Sequence, residues 1–210
     1  LAIESHRHQV ILVGENLGTV SKTTEELMRR YKMFGMHILQ YALDSKLPWI
    51  PKDYHTLAAL NTHDMAPFAQ YYESHPEKIS SILKQVKNKN MDVHQLLQQS
   101  LDSLAQSRAA FFIIGLEDLW GEKRPQNIPG STEYPNWQRK LIFSNEEMVN
   151  QPEVRHILET IAKKRTLCAT SLKGQITEQD LYLFNEGTHH RLYQILGAHQ
   201  HCCQGVEGLK

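Results

Sequence analysis

A short apolar run, Val10 to Val13, constrains the fold more than any other feature, because it ends in Gly14 and a lone carboxylate, Glu15. Three of its four residues are β-branched, and no polar residue interrupts it. Such a run favours a strand buried on both faces, since a half-exposed strand alternates apolar and polar residues. Glu15 would then lie at the carboxyl end of the strand, the edge where parallel α/β folds carry their active sites.

Further apolar runs and helical patterns continue this alternation along the chain. Thr23 and Glu26 have the spacing of a capping box and predict the first helix after Glu15. A long helical insert precedes the last predicted strand, and a closing helix begins near Pro152. Alternating strands and helices predict an α/β fold of parallel βαβ units, either about half of a (β/α)8 TIM barrel or an open doubly wound sheet. The further strands are predicted at 36–43, 56–61 and 111–116.

Composition narrows the possible partners. The 23 basic and 23 acidic residues give a formal net charge of zero, which argues against a nucleic-acid partner or a charged membrane surface. No apolar run reaches the roughly 18 residues of a spanning helix. Three cysteines, Cys168, Cys202 and Cys203, provide no even disulfide framework, so we expect a reduced, cytoplasmic protein. His199 and His201 beside the last two cysteines lack the separated pairs of a zinc motif, and we expect neither a metal nor a cofactor.

The segment around Glu15, VGENLGTV, closely resembles the one that carries the acid/base glutamate in the amylomaltase family of 4-alpha-glucanotransferases. Members of that family disproportionate α-1,4-glucans on a TIM barrel. The resemblance therefore implies that Glu15 is the acid/base residue and that residues 1–165 hold strands 5 to 8 of such a barrel. The family usually has aspartate after this glutamate, whereas this chain has Asn16, which removes a neighbouring negative charge.

Thr62, His63 and Asp64 follow the third predicted strand. Taken alone, a His-Asp pair in this place favours a helix cap. The pair also matches the Thr-His-Asp motif after the seventh strand of the amylomaltase barrel, which implies that Asp64 stabilises the transition state and that His63 binds the same sugar ring. An ionised carboxylate suits that task, because the transition state of glycosyl transfer resembles an oxocarbenium ion.

The segment from Gly115 to Trp137 resembles the family's loop after the eighth strand, in which an Asp-Leu pair precedes Asn, Pro-Gly and Asn-Trp. Asparagine offers a donor and an acceptor to paired sugar hydroxyls, and Trp120 or Trp137 is suited to stacking on a sugar ring. For any single residue, an ordered connection without a ligand is an equally good interpretation. The substrate-binding residues that the resemblance implies in this loop are Asn127, Pro129, Gly130, Asn136 and Trp137.

The C-terminal sequence has a different character. Residues 166–176 are small and polar enough for a linker, and helix-starting and helix-stopping residues follow. The segment from Thr177 to about Leu209 resembles the leading segment of bacterial glycogen branching enzymes, which implies a short helical, truncated segment at 177–210. Both ends of the sequence look cut. We therefore expect a fragment of a fused protein, whose partners are a missing N-terminal half and a downstream branching-enzyme domain.

The function that the resemblance implies is transfer of α-1,4-glucan segments between maltodextrins by a retaining double displacement. That mechanism needs a nucleophilic carboxylate about 5 Å from the acid/base residue. In the family it follows the fourth strand, which would precede Leu1, so we expect the isolated chain to be inactive. Two alternatives remain: a fragment of a 1,4-alpha-glucan branching enzyme, or a noncatalytic glucan-binding piece.

Overall fold

The computed structural model describes residues 1–43, 49–85 and 90–172. Its strands form a parallel three-stranded sheet in the order β1-β2-β3, with Met36 paired with Leu57 and Leu57 with Phe111. Parallel neighbours in chain order require crossover connections, and helices supply them. The predicted α/β class is therefore confirmed. The strands are β1 (Gly35–Ile38), β2 (Thr56–Ala59) and β3 (Phe111–Ile113).

Helices make up most of the remaining structure. A short 3₁₀ helix, Leu116–Trp120, follows β3 directly. The predicted helical insert between β2 and β3 is present and contains three helices, α4 to α6. The α-helices are α1 (Ala2–His8), α2 (Lys22–Arg30), α3 (Leu39–Leu43), α4 (Phe68–Ser74), α5 (Pro76–Gln85), α6 (Val93–Ala105), α7 (Asn145–Asn150) and α8 (Pro152–Leu172).

The prediction of a fully buried strand at Val10 to Val13 is wrong. Only Val13 pairs with the sheet, through an isolated parallel bridge to Phe34. Val10 and Val13 are each 41% exposed. The apolar run is buried less than its composition predicts because, among the described residues, it has a strand neighbour on one side only. The bridge is parallel, so Glu15 follows the paired residue in the direction in which β1 runs, and its neighbour Asn16 lies beside Met36 near the start of β1.

Two further local predictions need correction. The predicted strand 36–43 is a strand only as far as Ile38 and then turns into helix α3, since a short apolar run does not by itself distinguish strand from helix. The first long helix is capped by the Ser21 side chain, which accepts a hydrogen bond from the Thr24 backbone N–H, and not by Thr23 with Glu26. The predicted strands 56–61 and 111–116 are present but shorter.

The core lies between the sheet and the helical insert. Ala58, Leu60 and Phe112 pack against α6, whose residues Leu101 and Leu104 are fully buried. The opposite face of the sheet is open. Apolar side chains there line a cavity of about 310 Å³, and Ile113 at its end is 38% exposed. One face is thus covered by helices and the other is accessible from the carboxyl end of the strands.

The closing helix is α8, as predicted from Pro152. Val154 and Ile161 are buried, whereas Leu158 is 40% exposed. Arg165 lies inside the helix and is buried, and its guanidinium donates hydrogen bonds to the carbonyls of the two residues before β3, Ala109 and Ala110.

The helix α8 continues to Leu172 and so includes the first part of the predicted linker 166–176. The predicted branching-enzyme segment, 177–210, lies outside the described residues, and the predicted domain boundaries stay predictions. No described helix is both long and apolar enough to cross a membrane.

Candidate functional site

Most of the predicted site residues lie on two loops at the carboxyl ends of β2 and β3. Residues 62–67, here called the motif loop, connect the end of β2 to α4 and contain His63 and Asp64. Residues 121–139, here called the Trp137 loop, follow the 3₁₀ helix after β3. Because parallel strands end at the same edge of a sheet, the two loops are neighbours although they are far apart in sequence.

Asp64 joins the two loops. Its Oδ1 accepts a hydrogen bond of 2.5 Å from Nδ2 of Asn127, and Nε2 of His63 lies 3.3 Å from the same oxygen. The imidazole of His63 lies 5.4 Å from the indole of Trp137, centroid to centroid. These four residues form what we call the Asp64 cluster. Both contacts involve Oδ1, so within the described structure Oδ2 keeps its full capacity to accept hydrogen bonds from a ligand.

Trp137 is the most exposed member of the Asp64 cluster. Its side chain is 61% exposed, and its backbone has a positive φ of 63°. A bulky residue in the left-handed region is strained and persists only where the surrounding structure holds it, which is typical of functional sites. The loop supplies that support, because the backbone N–H of Trp137 donates to the carbonyl of Gln126 at 3.0 Å. An apolar ring is therefore held out towards solvent beside a carboxylate.

Pro129, Gly130 and Asn136 shape the Trp137 loop. The backbone N–H of Ser131 donates to the carbonyl of Ile128, with Pro129 and Gly130 at the central positions and Gly130 at φ 77°, which is the pattern of a type II turn. The Asn136 side chain spans this turn, since Oδ1 accepts from the N–H of Ile128 at 2.8 Å and Nδ2 donates to the carbonyl of Ser131 at 2.9 Å. Direct contacts of these three residues with a sugar stay predictions.

An ion pair closes the base of the Trp137 loop. Arg139 donates from Nη1 to Glu122 Oε2 at 2.8 Å and from Nη2 to the carbonyl of Arg124 at 2.6 Å. Burial opposes ionisation of Glu122, but hydrogen bonds from Arg124 and Lys123 and the charge of Arg139 lower its pKa to about 2. The loop ends are thus tied together by a charge-assisted contact, which is stronger than a neutral hydrogen bond.

Asp118, at the carboxyl end of β3, is 2% exposed. Oδ1 accepts a hydrogen bond from the backbone N–H of Phe68 at 2.7 Å, and Oδ2 accepts one from Nδ2 of Asn61 at 2.8 Å. Burial raises the pKa of Asp118 to about 6, although both hydrogen bonds oppose the rise, and the nearby charge of Glu117 adds to it. In the sequence, Asp118 was recognised only as part of the Asp-Leu pair and was given no role, and Glu122 and Arg139 were not recognised. The sequence marks Glu122 and Arg139 only as charged residues next to turns that contain glycine or proline.

Glu15 lies apart from the Asp64 cluster. It is exposed, and within the described structure its carboxylate has no hydrogen bond or ion pair. Its neighbour Asn16 is ordered, since Oδ1 accepts from the N–H of Met36 at 2.7 Å. The segment before Glu15 pairs beside β1, so two strand spacings, about 10 Å across the sheet, separate this segment from β2.

Trp120 differs from Trp137 in its surroundings. Its ring packs edge-on against Phe143 at 5.6 Å, and its indole nitrogen is buried without a hydrogen-bond partner among the described residues. Trp120 is therefore half-buried in the loop base. Of the two predicted stacking residues, Trp137 is the one that presents an accessible ring.

An open cavity lies next to the Asp64 cluster, and His63 is the member of the cluster that lines it. It has an apolar floor of Met36, Leu57 and Ile113 and a rim of polar side chains at the strand ends. Concave, mostly apolar surfaces with a few converging polar groups are typical of small-molecule sites. Among the described residues, no group of three or more His, Cys, Asp or Glu side chains is arranged to hold a metal ion. The polar rim consists of Asn61, Thr62, His63, Glu117, Asp118 and Gln126.

Comparison with known proteins gives a consistent result for most of the chain. The family model Glyco_hydro_77, 4-alpha-glucanotransferase, matches residues 1–144. The chain is 26% identical to the 4-alpha-glucanotransferase of Haemophilus influenzae in an alignment 194 residues long, which covers 70% of this chain and 28% of that protein. The chain thus spans little more than a quarter of that relative's length.

A structural and a second sequence match complete the comparison. The fold is similar to that of amylomaltase from Streptococcus agalactiae, solved in complex with acarbose, with a TM-score of 0.61 and 17% identity over 77% of this chain and 33% of that one. Separately, 36 residues, 17% of this chain, are 59% identical to 5% of the 1,4-alpha-glucan branching enzyme GlgB of a Synechococcus strain.

The pKa of Asp118 predicts a specific pH dependence of stability. Because the folded-state pKa, about 6, lies above the ordinary value of 3.8 for an aspartate, protonation of Asp118 favours the folded state. Its contribution is full below pH 4 and is lost as the pH rises through 6, which amounts to roughly 3 kcal/mol. Urea unfolding of the wild type and Asp118→Asn at pH 4 and pH 7 measures it.

The unfolding free energy of the wild type minus that of Asp118→Asn should be larger at pH 4 than at pH 7. A matched substitution at a partly buried carboxylate on α6, Asp102→Asn, serves as the control. An equal pH dependence in wild type and Asp118→Asn would contradict the prediction.

Proposed function

The chain belongs to the 4-alpha-glucanotransferase family, Glyco_hydro_77, and we propose that it forms the C-terminal half of the catalytic barrel of such an enzyme. The parallel strand order, the crossover helices and the open inner face of the sheet support this proposal. A half barrel leaves its inner face without the layers of side chains that the remaining strands contribute. An upstream segment that carries strands 1 to 4 would fill that side.

The proposed reaction is transfer of α-1,4-glucan segments between maltodextrins with retention of configuration, within glycogen or maltodextrin metabolism. One observation supports it above the others: the Asp64 cluster combines a carboxylate, an amide, an imidazole and an exposed indole. A sugar ring stacked on Trp137 would bring its hydroxyls to Oδ2 of Asp64. That carboxylate would stabilise the positive charge that develops on the ring in the transition state.

Glu15 is proposed as the acid/base residue of the same reaction. It would donate a proton to the departing glycosidic oxygen and later accept one from the attacking sugar. Its exposure, and the absence of a hydrogen bond or ion pair to its carboxylate within the described structure, fit a group that must reach a substrate outside the sheet. Asp64 is proposed as the residue that stabilises the transition state, and the nucleophile, which the resemblance places after the fourth strand of the barrel, is proposed to come from the upstream segment.

Residues 177–209 are proposed as the beginning of a branching enzyme. The support is the short match of 36 residues to GlgB. It carries no proposed catalytic residue, and it favours a fused protein in which both parts act on the same class of glucan.

Turnover tests the enzymatic part of the proposal. We expect no disproportionation of maltotriose by the 210-residue chain, because the proposed nucleophile belongs to the upstream segment, and we expect turnover once that segment is joined to it. In that longer protein Glu15→Gln should lower kcat about 100- to 10,000-fold, the usual contribution of general acid-base catalysis. The matched control is Glu26→Gln, an exposed glutamate on α2.

Turnover by the 210-residue chain alone would show that the nucleophile has been placed wrongly. Equal rates for Glu15→Gln and Glu26→Gln in the longer protein would remove Glu15 from the mechanism.

Binding tests the ligand class independently of turnover. Isothermal titration of the chain with acarbose, the ligand named in the related structure, should give an affinity that Trp137→Ala lowers about 10-fold or more, since loss of a buried aromatic contact costs about 1.5–3 kcal/mol. Tyr31→Ala removes an equally accessible aromatic, 53% exposed, just after α2 and should leave the affinity unchanged. Equal effects of the two substitutions would contradict stacking at Trp137.

A further inference from the structure

The motif loop is held from one side by Gln40. This side chain is 1% exposed and lies at the start of α3, directly after β1. Its Nε2 donates to the carbonyl of Ala66 at 3.0 Å, and its Oε1 accepts from Nδ2 of Asn61 at 3.0 Å. Asn61 immediately precedes the motif loop and Ala66 lies near its end. One buried amide therefore connects both ends of the loop.

Asp118 holds the same loop from the opposite side, where β3 ends. As described above, its two carboxylate oxygens accept from the Asn61 side chain and from the N–H of Phe68, the residue after the loop. Gln40 and Asp118 lie just after the strands on either side of β2, in α3 and in the 3₁₀ helix. Both ends of the motif loop are thus fixed twice, once from each side of β2.

Asn61 makes the arrangement complete. Its single amide nitrogen carries two hydrogens, which serve Gln40 Oε1 and Asp118 Oδ2. The network packs directly against Gly115, where an added Cβ would lie 3.2 Å from Asp118 Oδ2 and 3.3 Å from Asn61 Oδ1. Each member is buried or half-buried and bonded at both ends, so the desolvation of these polar groups is compensated.

We propose that Gln40 and Asp118 are positioning residues, which hold the motif loop so that His63 and Asp64 face Asn127 and Trp137. Neither positioning residue touches Asp64, and both act through the two ends of the loop. Apolar side chains of similar size would fill the same space but would not fix the loop ends. That the ordered loop serves to bind a sugar rests on the proposed function, whereas the ordering of the loop itself does not.

The test compares Gln40→Met and Asp118→Asn with matched changes elsewhere. The amide of Met65, bonded to the carbonyl of Thr62 at 3.1 Å, reports on the motif loop. The amide of Ala110, bonded to the carbonyl of Tyr54 at 3.0 Å, reports on the sheet. Hydrogen exchange of both is measured by NMR, together with the Overhauser effect between the rings of His63 and Trp137.

Matched controls come from a Gln-Asp pair on α6, where Gln98 Nε2 donates to Asp102 Oδ1 at 2.8 Å. Gln98→Met and Asp102→Asn make the same chemical changes away from the loop. We expect the exchange rate at Met65, divided by that at Ala110, to rise about 10-fold or more in the two loop variants and less than about threefold in the controls. The ring contact should weaken only in the loop variants.

A substitution that merely destabilised the fold would accelerate both amides together and leave their ratio unchanged, and that result would overturn the proposal. If Asp118→Asn does not fold, Gln40→Met decides alone. If the chain does not bind acarbose, the proposed function is contradicted, but the conclusion from hydrogen exchange still stands. An unchanged ratio would remove the positioning role even if acarbose binds.

Discussion

The hydrogen bond from Asn127 to Asp64 is the contact on which the site depends. It joins residues 63 positions apart in sequence, one after β2 and one after β3. The parallel sheet makes it possible, because both strands deliver their loops to one edge. The contact between the His63 and Trp137 rings also spans the two loops, and together the two contacts hold the carboxylate beside the exposed indole.

Different interactions hold the two loops that this contact joins, the motif loop and the Trp137 loop. The motif loop is held at its ends by buried hydrogen bonds. The neutral amide of Gln40 donates to one end, and the carboxylate of Asp118 accepts from both. The Trp137 loop is closed by the Glu122–Arg139 ion pair and braced inside by the Asn136 side chain. A rigid framework of this kind lowers the entropy cost of binding, since the loops are ordered before the ligand arrives.

The sequence predicted the parts that follow from local pattern. Helices α5, α6 and α8 were found from apolar periodicity, and the loops after β2 and β3 from short motifs. Burial of Val10 to Val13 and the strand from Met36 to Leu43 were predicted wrongly, because burial and the end of a strand depend on neighbours that local pattern does not contain.

The positioning network escaped sequence reasoning for a related physical reason. Gln40 lies inside a segment that was predicted as a strand, and the partners of Asp118 are 50 and 57 positions away. Nothing local marks a glutamine or an aspartate as buried and doubly bonded. The same holds for Arg139, whose role is visible only when the loop is closed.

A crystal structure of the chain with acarbose would test the central claim most directly. The account predicts a sugar ring against the Trp137 indole, with a hydroxyl bonded to Asp64 Oδ2 and the Asn127 contact retained. A second cavity, of about 500 Å³, lies between α2 and β1 and is lined by His37 and Arg29 among others. Acarbose bound there, with the Asp64 cluster empty, would contradict the account.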